Sequence, residues 1–261
     1  MLAFKSKFVT TTKNHFTISK FIFNNSWYKS FTTIDPINPL TTLSPLDGRY
    51  SAQLTGLQKY YSEKGLMQYR TIVEIEWLRF LITKVFTPEE LKAKFNINQN
   101  SITDINSKLD KIKNNFNMDS AEEIKRIEKT TNHDVKAVEY YIKGEMSKLN
   151  VESSIHELVH FCCTSEDINN LSWGLIVKDS LDKEYNPKVK SLIDLLVKIA
   201  EENSNIAMMA RTHGQPATPT TVGKEIANFA YRVNQQVEKL KKIKVKGKFN
   251  GAVGNILNYI H

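Results

Sequence analysis

Hydrophobic positions in this chain recur at steps of three and four residues rather than two. From Leu66 to about Leu81 the apolar residues Leu66, Tyr69, Val73, Trp77, Phe80 and Leu81 keep that spacing. This predicts one face of a helix that stops before Pro88. Thr87-Pro88-Glu89-Glu90 predicts the next start, with Thr as cap and Pro in the first helical position. Asn98 to Ser101 reads as a polar loop. A further helix is expected around Ala121 to Ile142, interrupted or bent at Thr130 to His133.

The second half is more regular. Thr164-Ser165-Glu166-Asp167 has the form of a capping box, with acids in the first turn to meet the helix dipole. Val189, Leu192, Ile193, Leu196, Ile199 and Ala200 make another amphipathic stretch. Thr218-Pro219 is expected to cap a helix lined by Val222, Ile226, Phe229, Val233, Val237, Leu240 and Ile243. Its steps average about 3.5 residues, the period of helices packed side by side. A helix of roughly 27 residues spans about 40 Å, and it needs partners along its whole length. The expectation is an all-α chain: an extension over residues 1–40, an amino-terminal helical domain over 41–150, and the first part of a long central helical bundle over 151–261. An oligomer would share that bundle.

Composition agrees with this pattern. Ten glycines and seven prolines among 261 residues are few, which favours long helices over many short strands. The net charge is +8, and half of it lies in residues 1–40, which hold five lysines and one acid. The body is therefore only mildly basic. Its nearest approach to a nucleic-acid stripe, Glu238 to Lys248, reads as a solvated helix face. No apolar run approaches the roughly 18–20 residues that span a bilayer. The head is rich in Lys, Ser, Thr and aromatic residues and has no acid before Asp35. It fits either an organelle transit peptide, although it lacks arginine, or an extension of a cytoplasmic protein. Cys162 and Cys163 are adjacent and cannot easily bridge each other, and their apolar setting predicts buried free thiols.

His156-Glu157-Leu158-Val159-His160 matches the H-E-x-x-H pattern, which on a helix places two imidazoles one turn apart beside a glutamate base. The motif is short, and the next histidine, His213, is far outside the usual position of a third ligand. Glu184 lies in a solvated-looking segment. No metal site is expected here.

Four polar clusters interrupt or cap the helical stretches: Ser44 to Tyr50 (SPLDGRY), Thr130 to Lys136 (TTNHDVK), Thr164 to Asn170 (TSEDINN) and Arg211 to Pro219 (RTHGQPATP). Singly, each reads as a turn or a cap. Together they supply an arginine, a tyrosine, two histidines, several hydroxyls and a helix amino terminus. Arginine and helix termini hold phosphate or carboxylate, and histidine moves protons near neutral pH. Nothing in the set requires a metal or an organic cofactor.

SPLDGRY, TTNHDVKAVEYY, HFCCTSEDINNLSW, RTHGQPATPTTVGKEIANFAYR and GKFNGAVGN, in this order, resemble the adenylosuccinate lyase family of the fumarase/aspartase superfamily, from about Leu40 onward. The resemblance implies a helical homotetramer whose sites are shared between subunits. It implies β-elimination of fumarate from adenylosuccinate and from the related succinyl carboxamide ribotide, without a cofactor. On that basis Arg49 and Tyr50 contact the nucleotide end of the substrate. Asn132, His133 and Asp134 form a second contact, with His133 close to the reacting succinyl group. Thr164 and Ser165 bind a succinyl carboxylate, and His213 is the acid that protonates the departing nitrogen. The family's base is a serine on a Ser-Ser-x-Met-Pro-x-Lys loop. No segment of this sequence matches that loop, so the chain alone is expected to be inactive.

Overall fold

In a computed structural model the described residues are Leu40 and residues 42–254. The expectation of an extension over residues 1–40 falls outside them, save for Leu40. The chain divides into two compact units, the first ending at Ala52 and the second beginning at Gln53. In the first, residues 44–51 wind through successive turns: Asp47 and Gly48 donate backbone N–H to the Ser44 carbonyl and Tyr50 to that of Pro45.

The second unit holds nine helices among the described residues: α1 (Thr55–Tyr61), α2 (Glu63–Phe80), α3 (Pro88–Phe95), α4 (Ile102–Asn114), α5 (Met118–Thr131), α6 (Asp134–Lys148), α7 (Ser165–Ser180), α8 (Asn186–Glu202) and α9 (Val222–Lys241). A two-stranded antiparallel sheet, β1 (Ala207–Thr212) and β2 (Gln215–Thr221), joins α8 to α9. The expected all-α architecture is therefore present, with one hairpin added.

Helix α2 lies at the centre of the core. Ile75 and Leu78 have no exposed surface, and α2 packs against α4, α5, α6 and α7. Leu109, Ile124, Ile142, Met146 and Ile155 complete this core. Burying one such side chain contributes roughly 1.5–3 kcal/mol. Unusually for a helix interior, α2 also buries Arg70, Thr71 and Glu74. Buried polar groups persist only when partnered: Thr71 Oγ1 donates to the Met67 carbonyl one turn back, and the partners of Arg70 and Glu74 are described below. The predicted box at α3 is present, with Thr87 and Glu90 capping each other's backbone N–H. Between α7 and α8 the helical path continues through a π turn at Leu181–Tyr185. Pro187, with no N–H and a ring that crowds the preceding turn, accounts for that widening.

Three expectations are corrected. Gln215–Thr221 is a strand and not the start of a long helix, because Gln215 and Thr218 each precede a proline and are driven to extended backbone. Helix α9 consequently begins at Val222 and has 20 residues, capped by Thr221, whose Oγ1 accepts the Lys224 N–H at 3.2 Å. Its start lies against the end of α8, with Gly223 so close to the Ala200 carbonyl that a Cβ would collide. Cys162 is exposed rather than buried, because positive φ at His160 and Cys162 turns this segment outward. Only Cys163 is partly covered, and burial pushes its thiol pKa up.

Candidate functional site

The site is built where helices α6 and α7 begin. Helix α5 ends at Asn132, whose left-handed backbone (φ 50°) reverses the chain, a conformation asparagine tolerates well. His133 follows in extended geometry and caps α6 with its ring: Nδ1 accepts the Lys136 N–H at 3.2 Å. An acceptor nitrogen carries no proton, so the neutral imidazole has its proton on Nε2. That nitrogen lies 3.2 Å from Ser165 Oγ, so His133 donates to the serine. Asp134 Oδ1, at 3.8 Å from Nδ1, is too far to compete for that nitrogen and accepts the Val135 N–H at 2.9 Å instead.

Ser165 is the first residue of α7, and Thr164 is its cap, donating backbone N–H to Asp167 Oδ2 at 3.0 Å. The first N–H groups of a helix lack intrahelical partners, and the dipole places partial positive charge there. A hydroxyl, an imidazole N–H and a helix terminus thus converge on one point, an arrangement suited to a carboxylate or phosphate.

Two buried residues hold this arrangement. Asp167, with no exposed side-chain surface, also accepts from Lys248 Nζ at 3.0 Å and from the backbone N–H groups of Asn250 and Gly251, each at 3.1 Å. Burial opposes its ionisation, and the donors around it more than offset that, holding its carboxyl below the usual range. The GKFNG segment is thereby fastened to the first turn of α7, and Asn170 brackets the Lys248 backbone with two further bonds. Arg70 reaches across from α2, donating from Nη2 to Asp134 Oδ2 at 2.6 Å and from Nε to Asn169 Oδ1 at 2.9 Å. Burial disfavours the Asp134 anion as well, but the guanidinium beside it keeps its carboxyl below the usual range.

Of the residues singled out in the sequence, Asn132, His133, Asp134, Thr164 and Ser165 come together. His213 does not join them: it is exposed at the tip of the hairpin, where it and Gly214 (φ 50° and 75°) form the two-residue turn between the strands. Among the described residues no hydrogen bond or ion pair links it to His133 or Ser165. Arg49 and Tyr50 belong to the first unit, where the guanidinium carbon lies 5.4 Å from the tyrosine ring centre.

The H-E-x-x-H residues do not form a helical metal pair. Ser153–Leu158 is a 3-10 turn, and His160 has φ 62°. His156 Nε2 lies 3.2 Å from the Val151 carbonyl, and His160 Nδ1 is 2.6 Å from Oε1 of the fully buried Glu74, whose Oε2 accepts the His160 N–H. Burial disfavours charge on the His160 ring, but the Glu74 carboxylate overrides it and holds the imidazole above its usual range. Among the described residues no three acidic, histidine or cysteine side chains are grouped to hold a metal ion. No helix among them is long and apolar enough to cross a membrane.

Sequence reasoning missed Arg70 and Glu74 as parts of this framework, and read Asp167 only as a member of the α7 capping box, which is present. The available signal was an arginine and a glutamate on the otherwise apolar face of a core helix.

The family described as Lyase matches residues 48–260. The chain belongs to the lyase family. Similar members are the adenylosuccinate lyases of Vibrio cholerae, 44% identical over 219 residues, and Haemophilus influenzae, 46% identical over 219 residues. That of Escherichia coli is 42% identical over the same length. Each alignment covers 84% of this chain and 46% of the relative. The chain therefore spans about half the length of the curated relatives it matches. Among solved structures, the β-carboxy-cis,cis-muconate cycloisomerase of Acinetobacter calcoaceticus aligns with a TM-score of 0.57 at 19% identity, covering 78% of this chain and 44% of that one. A fumarate lyase from Mesorhizobium aligns with a TM-score of 0.56 at 17% identity, over 77% and 43%. At these identities the likeness is one of fold.

Proposed function

We propose that this lyase-family chain forms part of an adenylosuccinate lyase, cleaving a succinyl carbon–nitrogen bond to release fumarate. The observation that carries the reading is the meeting of His133 with Ser165 at the start of α7, in a chain 42–46% identical to adenylosuccinate lyases. A succinyl carboxylate would rest on Ser165, Thr164 and the helix terminus, with the His133 Nε2–H beside it. Asn132 and Asp134 complete that contact, and Arg49 and Tyr50 take the nucleotide end.

The reaction removes a proton from the succinyl carbon next to a carboxylate, and the electron pair left there becomes the carbon–carbon double bond of fumarate as the carbon–nitrogen bond breaks. The departing nitrogen takes its proton from His213. General acid catalysis of this kind contributes about 10²- to 10⁴-fold. Exposure of His213 on a hairpin tip suits donation into the site of a neighbouring subunit, in a cytoplasmic homotetramer whose sites are shared. Residues 41–150 would then be the amino-terminal helical domain and 151–261 the first part of the central bundle. Both adenylosuccinate and the succinyl carboxamide ribotide are proposed substrates.

The base is proposed to be a serine on a loop that these 261 residues do not match, so alone they would not complete the reaction. The test is fumarate release, followed by absorbance, from the 261-residue protein alone and mixed with a chain carrying that loop. Turnover is expected only in the mixture and is expected to disappear with His213→Asn. Undiminished turnover with that substitution contradicts the role of His213.

A further inference from the structure

Arg70 belongs to none of the polar clusters, yet it touches two of them. We propose that Arg70 is the positioning residue of this site, its guanidinium setting the distance between His133 and Ser165. The two bonds fall next to the groups they would control. Nη2 holds Asp134, the neighbour of His133, and Nε holds Asn169, four residues beyond Ser165 and so on the same face of α7. The partners lie 64 and 99 positions along the chain from Arg70, so nothing local brings them together.

The base of the clamp is rigid. Arg70 is 6% exposed on a helix whose neighbouring residues Ile75 and Leu78 are fully buried. A guanidinium presents several donors in a fixed planar fork, whereas an ammonium is a point charge on a flexible stem. Only the former fixes two acceptors on two helices at once. At the surface the two helix starts meet through the 3.2 Å bond of His133 to Ser165, made by groups that are partly open to water, while Val135 and Ile168 pack together beneath them. The guanidinium beneath it is itself buried, and its bonds to Asp134 and Asn169 are shorter, at 2.6 and 2.9 Å.

This inference deepens the reading of the site as a carboxylate-binding centre, and one arm of its test does not depend on that reading. In the 261-residue protein, cross-relaxation between the His133 ring protons and the Ser165 Cβ protons reports their spacing by NMR. That signal is expected in the parent protein and is expected to be lost in both Arg70→Met and Asn169→Ala, with far-ultraviolet circular dichroism unchanged. Arg70→Lys should not restore it. Should Arg70→Met fail to fold, Asn169→Ala decides, since Asn169 is only partly buried. Retention of the parent signal in a folded variant overturns the proposal. In the second arm, adenylosuccinate binding is expected to weaken on the order of tenfold, the loss of about one charged hydrogen bond. If the parent protein does not bind adenylosuccinate, the functional reading fails while the NMR arm still judges Arg70.

Discussion

Ser165 Oγ lies 3.2 Å from Nε2 of His133, a contact between residues 32 positions apart that joins the starts of two helices. Because the other ring nitrogen is occupied in capping α6, His133 presents Nε2 to Ser165 as the donor. A protonated ring would have two N–H groups and could not cap.

The two duties of His133 are separable. His133→Ala removes cap and donor together and is expected to cost about 1 kcal/mol of stability. His133→Asn supplies a good cap and should restore most of that loss without restoring contact with Ser165. Urea denaturation of the two variants, compared with adenylosuccinate binding, separates the effects. Equal stability losses in both variants would speak against the capping role.

Asp167 holds four donors with no surface of its own exposed. Asp167→Ala leaves three backbone N–H groups without their acceptor, while the partly exposed Lys248 ammonium keeps the Gly251 carbonyl at 3.1 Å. The substitution is expected to cost about 1–3 kcal/mol. The expected signature is a lowered denaturation midpoint together with rapid amide exchange at Asn250 and Gly251. Slow exchange at those amides in the variant would mean that the segment is held by something else.

The Glu74–His160 pair predicts a pH dependence with a definite sign. His160 is raised above its usual value in the folded protein by the Glu74 carboxylate, with Glu139 adding to the effect and Lys136 opposing it. Its stabilisation is present below the unfolded value of about 6.5 as long as Glu74 is ionised, and it fades as pH rises through the higher folded value. Burial raises the Glu74 carboxyl too, so its charge without a protonated partner at high pH is a cost, which acts in the same direction. Glu74→Gln should accordingly destabilise the protein more at pH 5.5 than at pH 9. A difference that grows with pH reverses the sign and refutes the assignment.

The helical plan was readable because its signals are local. The three- and four-residue spacing from Leu66, the Thr87–Glu90 box and the break near His133 each depend on neighbours within a turn. The Gln215–Thr221 strand was hidden because Thr218-Pro219 carries the same signal as a helix start, and only pairing with Ala207–Thr212 shows otherwise. Arg70 and Glu74 were hidden for a different reason. Their partners, Asp134, Asn169 and His160, lie on other elements, and no spacing along the chain records such a meeting. Likewise His160 and His156 read as a metal pair only if the segment is helical, and positive φ at His160 removes that premise.

The central claim is that a substrate carboxylate docks where His133 faces Ser165. The most direct measurement is an NMR titration of the 261-residue protein with adenylosuccinate, following the backbone amides of Ser165 and Glu166 and the His133 ring. Saturable shifts at these positions, abolished by Ser165→Ala, are predicted. Saturation elsewhere with these resonances unmoved would contradict the account.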